Sequence, residues 1–346
     1  MNTEVPDQIA SRTIREWITG GRTDYERIFY VAPGANPAGL EQVVGQDDAV
    51  LLPADSDWSP DHGLVVKYSG EMSEAGDEFF VNDRGIELQD YISAGFIEIV
   101  GPTAIRFFDE AGWRAFVADA ELARRTGVFP TALIDPRVLM ADRAMFVPGG
   151  STSLPHAFRL EADGYIHLGM QGIPLGHMDN WDAVLGSAVS TADALGAFVP
   201  PVVVRADLGT HPWLPRYMNS TELIKTLQLD NGTAKIDGFG WSNIDDKRAD
   251  AEPSSTDPFM LDTPSGLILA DIATRRRQLL TPLTAEVVSA IQTSSSLELA
   301  RDRVSTRQNI DQSVAAKLCT DAIELLNVNL GHQRELPLIG SPENAR

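Results

Sequence analysis

Along the first 146 residues, short apolar runs alternate with polar turns. RIFYVAP (27–33) and AVLLPAD (49–55) are apolar stretches of strand length and predict buried strands. GLVVKYS (63–69), EFFVND (78–83) and FIEIVGPTAIRFF (96–108) predict further strands. Trp113, Phe116, Val117 and Leu122 recur near helical spacing and predict a helix over 110–125. ALIDPRVLM (132–140) reads as a short strand and turn. HAFRLEADGYIHLGM (156–170) reads as a hairpin turning at Asp163-Gly164, a dipeptide suited to tight β-turns. Residues 179–198 predict a helix with Trp181, Leu185 and Val189 on one face, and VVVRADL (202–208) a strand. Asn219, with Glu222 three residues on, predicts a capped helix start before Leu223, Ile224 and Leu227.

The pattern changes after residue 241. SNIDDKRADAEPSSTDP (242–258) is rich in Asp, Ser and Pro and predicts a linker over 242–257. VPGGSTSLP (147–155) is a weaker break. The expected organisation is an α/β domain over 1–146, an α+β segment over 147–241 belonging to the same body or not, the linker, and a domain over 258–332. In the last, PFML, GLILADI and RRQLLT are three short strands, with a turn at Ala273-Thr274-Arg275. Thr281-Pro282 then predicts a helix start, a hydroxyl cap followed by proline at the first helical position. Ser295 with Glu298 predicts a capping box for a second helix. A third runs from about 310 to 328, its apolar stripe too wide for a single contact.

Charge separates the two parts. The chain of 346 residues carries a net −21. From 258 onward there are nine basic and ten acidic residues, so nearly all the excess acid lies upstream. This acidity argues against nucleic acid and against anionic membrane surfaces. The one cysteine, Cys319, makes no intrachain disulfide or thiolate cluster and falls in an apolar helical pattern. With no apolar leader at the start and no run of membrane-spanning length, the expectation is a cytoplasmic protein.

The segment LDTPSGLILADIATRRRQLLTPLTAEVVSAI (261–291), then SSSLELA (294–300), then a helix ending LLNVNLG (325–331), resembles the PqqD-like RiPP recognition element. The resemblance covers about 259–331. It implies a winged-helix-like fold of three strands and three helices that binds the leader of a ribosomally made precursor peptide. The leader would add as a strand beside the third strand and pack on the third helix. Carried onto this sequence, the peptide-binding residues are Arg276, Arg277, Gln278, Leu279, Leu280, Thr281, Val314, Leu318, Asp321 and Ile323. The chain length and the C-terminal position of this element resemble the recognition proteins of daptide-type clusters, which implies an oxidoreductase, an aminotransferase and a methyltransferase as partners.

The resemblance agrees with what the residues themselves indicate. The third strand of a meander is an edge, and an exposed edge invites another strand. Arg275, Arg276 and Arg277 suit an acidic peptide, although edge arginines also guard against aggregation.

The competing class is an enzyme with its active site in the body. His156, His167 and His177, with Asp179, could hold a metal with open positions, but they lack a ligand spacing such as H-x-x-x-H. VAPGANPAG (31–39) lacks the spacing of a dinucleotide loop. Asp135 with Arg137, and Asp142 with Arg143, read as structural ion pairs, and His211-Pro212-Trp213 as an aromatic packing turn. The expectation is a recognition adaptor with no catalytic residue, metal or cofactor.

Overall fold

A computed structural model describes residues 6–146, 154–272 and 274–332. It is a mixed α/β protein that divides into two compact units: Met1–Glu121 with Phe129–Leu208, and Leu122–Val128 with Gly209–Arg346.

The first unit is built on a ten-stranded sheet: β1 (Ile28–Val31), β2 (Ala49–Pro53), β3 (Leu64–Gly70), β4 (Glu78–Val81), β5 (Arg84–Asp90), β6 (Thr103–Arg106), β7 (Val138–Met140), β8 (Ala157–Leu160), β9 (Tyr165–Leu168) and β10 (Pro174–His177). The order is β10-β9-β8-β1-β2-β3-β4-β5-β6-β7. β8, β1, β2 and β3 run parallel, as do β5, β6 and β7. Burial on both faces explains the apolar runs. Ile28, Tyr30, Ala49 and Leu51 pack on one side beneath α1 (Pro6–Thr19), where Trp17 stacks on Tyr30 at 4.4 Å. Phe29, Val31, Val50 and Leu52 pack on the other side with Trp181 and Val184.

Several expectations fail here for local reasons. Residues 96–102 are not strand. Asp90 caps the short helix α2 (Tyr91–Ala94) by accepting from Ile92 N and Ser93 N, and Phe96 and Val100 are exposed. α3 (Glu110–Thr126) forms as predicted, and α4 (Thr131–Ile134) precedes β7. The single helix expected over 179–198 is two, α5 (Trp181–Leu185) and α6 (Thr191–Ala194). Gly186 ends the first, and Ser190 and Asp193 start the second with a capping box. VVVRADL is helical, within α7 (Pro201–Thr210): a proline at the first position and burial of Val204 alone override the β-branched run. Most of the break expected over 147–155 lies outside the described residues, as does Ala273.

The second unit holds α8 (Leu214–Leu227) and a five-stranded sheet of β11 (Lys235–Asp237), β12 (Gly240–Trp241), β13 (Phe259–Thr263), β14 (Gly266–Asp271) and β15 (Arg276–Leu279). Its order is β12-β11-β13-β14-β15. α9 (Pro282–Gln292), α10 (Leu297–Gln308) and α11 (Gln312–Leu326) follow. The three strands and three helices stand where the sequence predicts them, with two more strands added before β13. Thr281 caps α9 by accepting from Thr284 N at 3.2 Å. The cap of α10 is Ser296, not Ser295, because Ser295 donates instead to Asp250. Asn219 is not a cap but lies inside α8, buried, where its amide donates to Ser255 O at 2.8 Å.

The segment expected to be a linker packs inside this unit. Asp246 binds the buried Arg303 at 2.8 Å, Ser254 O accepts from Arg216, Asp257 is buried against Asn329, and Glu252 bridges to His332. Asp246 and Asp257 are held by Arg303 and Asn329 of the same unit, whereas Asp245, Lys247 and Asp250 are exposed.

Candidate functional site

β15 closes one end of its sheet. In an antiparallel pair, alternate residues direct both N–H and C=O at the partner strand. Leu280 N donates to Leu267 O at 2.8 Å, which fixes the phase. Gln278 and Arg276 therefore bond to β14, while the backbone groups of Arg277 and Leu279 point away from it, toward an edge on which no further strand pairs among the described residues. All four side chains of the strand are exposed, Leu279 at 66%.

The two faces of β15 differ. Leu279 lies opposite Ile268 and Arg277 opposite Ala270, whereas Gln278 lies opposite Leu269. Leu269 and Leu280 belong to the core under α9, α10 and α11. Arg277 and Leu279 thus project from the other face, where two clefts border the strand. The larger, about 520 Å³, is lined by Leu227, Leu229, Asp230, Ile268, Arg277 and Leu279, among others. The smaller, about 250 Å³, includes Leu223, Leu227, Asp271, Arg275, Arg276 and Arg277. α8 supplies the wall of both. It ends at Gln228, which turns left-handed at φ 53° and donates to Ile224 O and Lys225 O, and so sets Leu229 and Asp230 beside the strand.

The residues carried over from the resemblance fall into three groups. Arg276, Arg277, Gln278 and Leu279 form the edge. Leu280 is buried in the core and Thr281 is the α9 cap. On α11, Leu318 and Ile323 are half-buried against the core, Val314 is exposed, and Asp321 accepts from Lys317 at 2.6 Å. The clefts that border β15 are walled by α8 rather than by α11. Leu227, Leu229 and Asp230 were missed because they lie outside the stretch that carries the resemblance. The only signal for them is the apolar Leu223–Leu227 spacing. Cys319 is fully buried, and burial pushes its thiol up to about 11.

The candidate chemistry of the first unit resolves into structural contacts. His156 lies 3.2 Å from Glu16 and contacts Glu26 O, and His177 pairs with Asp179 at 2.9 Å. Among the described residues no group of three or more His, Cys, Asp or Glu is placed to hold a metal ion. Asp135 and Arg137 form an ion pair at 2.7 Å. Asp142 is buried and accepts from Met170 N and Gln171 N, and desolvation pushes its carboxyl up to about 7. Arg106, also buried, lies over Phe108 and Phe198 and donates to Met170 O and Ser73 O. The hydrogen bonds of these two side chains pin loop 169–171. In the second unit, Trp213 meets His211 edge-on and packs against Phe239 beneath Arg124. Among the described residues no helix is long and apolar enough to cross a membrane.

No protein-family model, curated protein or solved structure matches the chain.

Proposed function

We propose that the chain is a peptide-recognition adaptor. Its portion from β13 to α11 acts as a winged-helix-like, PqqD-like recognition element that captures the leader of a ribosomally made precursor by strand addition at β15. The observation that carries this reading is the open edge of β15, with the backbone groups of Arg277 and Leu279 directed outward. Natural sheets blunt or cover such edges unless they use them. The arginines 275–277 favour an acidic peptide, and the near-neutral charge of the chain from 258 onward leaves this part accessible to one. Such an adaptor would act in the cytoplasm, holding the precursor for an oxidoreductase, an aminotransferase and a methyltransferase of a daptide-type pathway.

The test is a fluorescence-anisotropy titration of the full chain with the labelled leader of a precursor peptide encoded beside its gene, paired with hydrogen exchange. Saturable binding with protection of the Arg277 and Leu279 amides supports the reading. Protection elsewhere, or no binding, overturns it.

A further inference from the structure

Backbone pairing alone makes a weak and unselective contact. Two outward-facing residues offer one N–H and one C=O each, and a typical hydrogen bond contributes only about 0.5–1.5 kcal/mol net. Association itself costs several kcal/mol. Affinity and choice of peptide must then come from side chains, and the clefts beside β15 are where added side chains would go.

We infer that the bound strand is selected on the α8 face of the sheet, by a peptide reading aliphatic–any residue–acidic from N- to C-terminus. This inference rests on strand addition at β15. Directly opposed residues in an antiparallel pair share a face. A peptide residue opposite Leu279 therefore shares the face of Leu279 and Ile268 and meets the larger cleft. Its apolar side is Leu227, Leu229, Ile268 and Leu279, and its charged lining residues, Arg277 and Asp230, offset each other. An aliphatic side chain fits it. The peptide residue opposite Arg277 meets the smaller cleft, which Arg277 and Arg275 line, while Arg276 and Asp271, an opposed pair of the other parity, belong to the α9–α11 face. A carboxylate fits there, and guanidinium groups bind it with charge-assisted hydrogen bonds.

These positions are two residues apart because Arg277 and Leu279 are. The order follows from direction. β13, β14 and β15 are all antiparallel, and continuing that pattern gives the slightly stronger ladder. An antiparallel strand passes Leu279 before Arg277, so the aliphatic residue comes first.

The test uses the full chain and three labelled nine-residue peptides in one threonine-rich host, centred on Leu-Thr-Asp, Asp-Thr-Leu or Leu-Thr-Lys. Leu-Thr-Asp is expected to bind at least tenfold more tightly than Leu-Thr-Lys, and more tightly than the swapped order. Arg277→Glu should reverse the Asp/Lys preference. Leu229→Ser, at a half-buried position just past the end of α8, should weaken all Leu-bearing peptides severalfold without changing the circular dichroism spectrum. If the Arg277 and Leu279 amides are protected but the order and charge make no difference, the α8-face inference is overturned while strand addition stands. If no peptide protects those amides, strand addition fails and the inference falls with it.

Discussion

Ser289 donates its hydroxyl to Asp237 Oδ2 at 2.8 Å, and both residues are fully buried, 52 positions apart in the chain. Desolvation raises the Asp237 carboxyl above its usual range. The same residue's carbonyl accepts from Arg216 Nε at 3.0 Å, and the Arg216 guanidinium lies 4.0 Å over the Phe259 ring. Strand β11, helix α8 and helix α9 are therefore joined by one buried polar network.

That network predicts that a fragment cut at residue 258 does not fold. It would lose Arg216, Asp237 and Asp246, leaving Ser289 without its acceptor and the buried Arg303 without its counter-charge, at about 1–3 kcal/mol for an unsatisfied group and more for a charge. The 258–332 fragment should show poor amide dispersion by NMR. Limited proteolysis of the full chain should spare 242–257. A well-dispersed 258–332 spectrum would show that the network is dispensable.

Arg303 makes the sharper single-residue case. Its side chain is inaccessible, binds Asp246 at 2.8 Å, and donates to Ala290 O, Thr293 O and Ser294 Oγ. Arg303→Ala is expected to cost about 3–5 kcal/mol in urea unfolding, the cost of breaking a buried pair. Desolvation opposes ionisation of Asp246, but the bond from Arg303 and neighbouring contacts outweigh it and hold the carboxyl below its usual value. The stabilisation is thus present above the unfolded value near 3.8 and lost as pH falls through the lower folded value. Parent and Asp246→Asn should converge in stability toward acid pH.

Asp142 gives the opposite pH dependence. Its carboxyl rises from 3.8 to about 7 on folding, chiefly through desolvation. The neutral form favours the fold, so this contribution is full below about pH 4 and is lost as pH rises to about 7. The stability difference between the parent and Asp142→Asn should change over that window by up to about 1.4 kcal/mol per pH unit, one proton's worth, and level off above it. Gly169 also constrains this site. It sits at φ +54°, and a Cβ there would lie 2.1 Å from Asp142 Oδ1. Gly169→Ala should therefore destabilise the chain at every pH.

How much of this was legible depends on whether the cause was local. The buried strands β1 and β2, the turn at Asp163-Gly164, the cap at Thr281 and the edge position of β15 all follow from periodicity and turn chemistry. The helical fate of VVVRADL and the interior place of Asn219 do not. They depend on which side chains find a core, and propensity carries no such information. Residues 242–257 read as a linker because Asp246 and Asp257 are polar. Their partners, Arg303 and Asn329, lie more than fifty residues away. The α8 wall of the clefts was hidden for the same reason: Leu227 and Leu229 meet β15 only after the chain has folded.

The phase of the β15 ladder yields the most selective prediction. Leu279 and Gln278 are adjacent and both exposed, yet their N–H groups point in opposite directions. Proline removes the N–H and is tolerated in sheets only where that group faces away from the ladder. Gln278→Pro should break the β14–β15 pairing, and Leu280→Pro likewise, because Leu280 N donates to Leu267 O. Both should lower the melting temperature. Leu279→Pro leaves the ladder to β14 intact and should change the melting temperature little, but it deletes one donor and one aliphatic contact offered to an added strand. Together these correspond to about 2–4 kcal/mol, or roughly thirtyfold to a thousandfold in peptide affinity. A folded Leu279→Pro chain that binds its peptide like the parent would place the peptide elsewhere and leave β15 a structural edge.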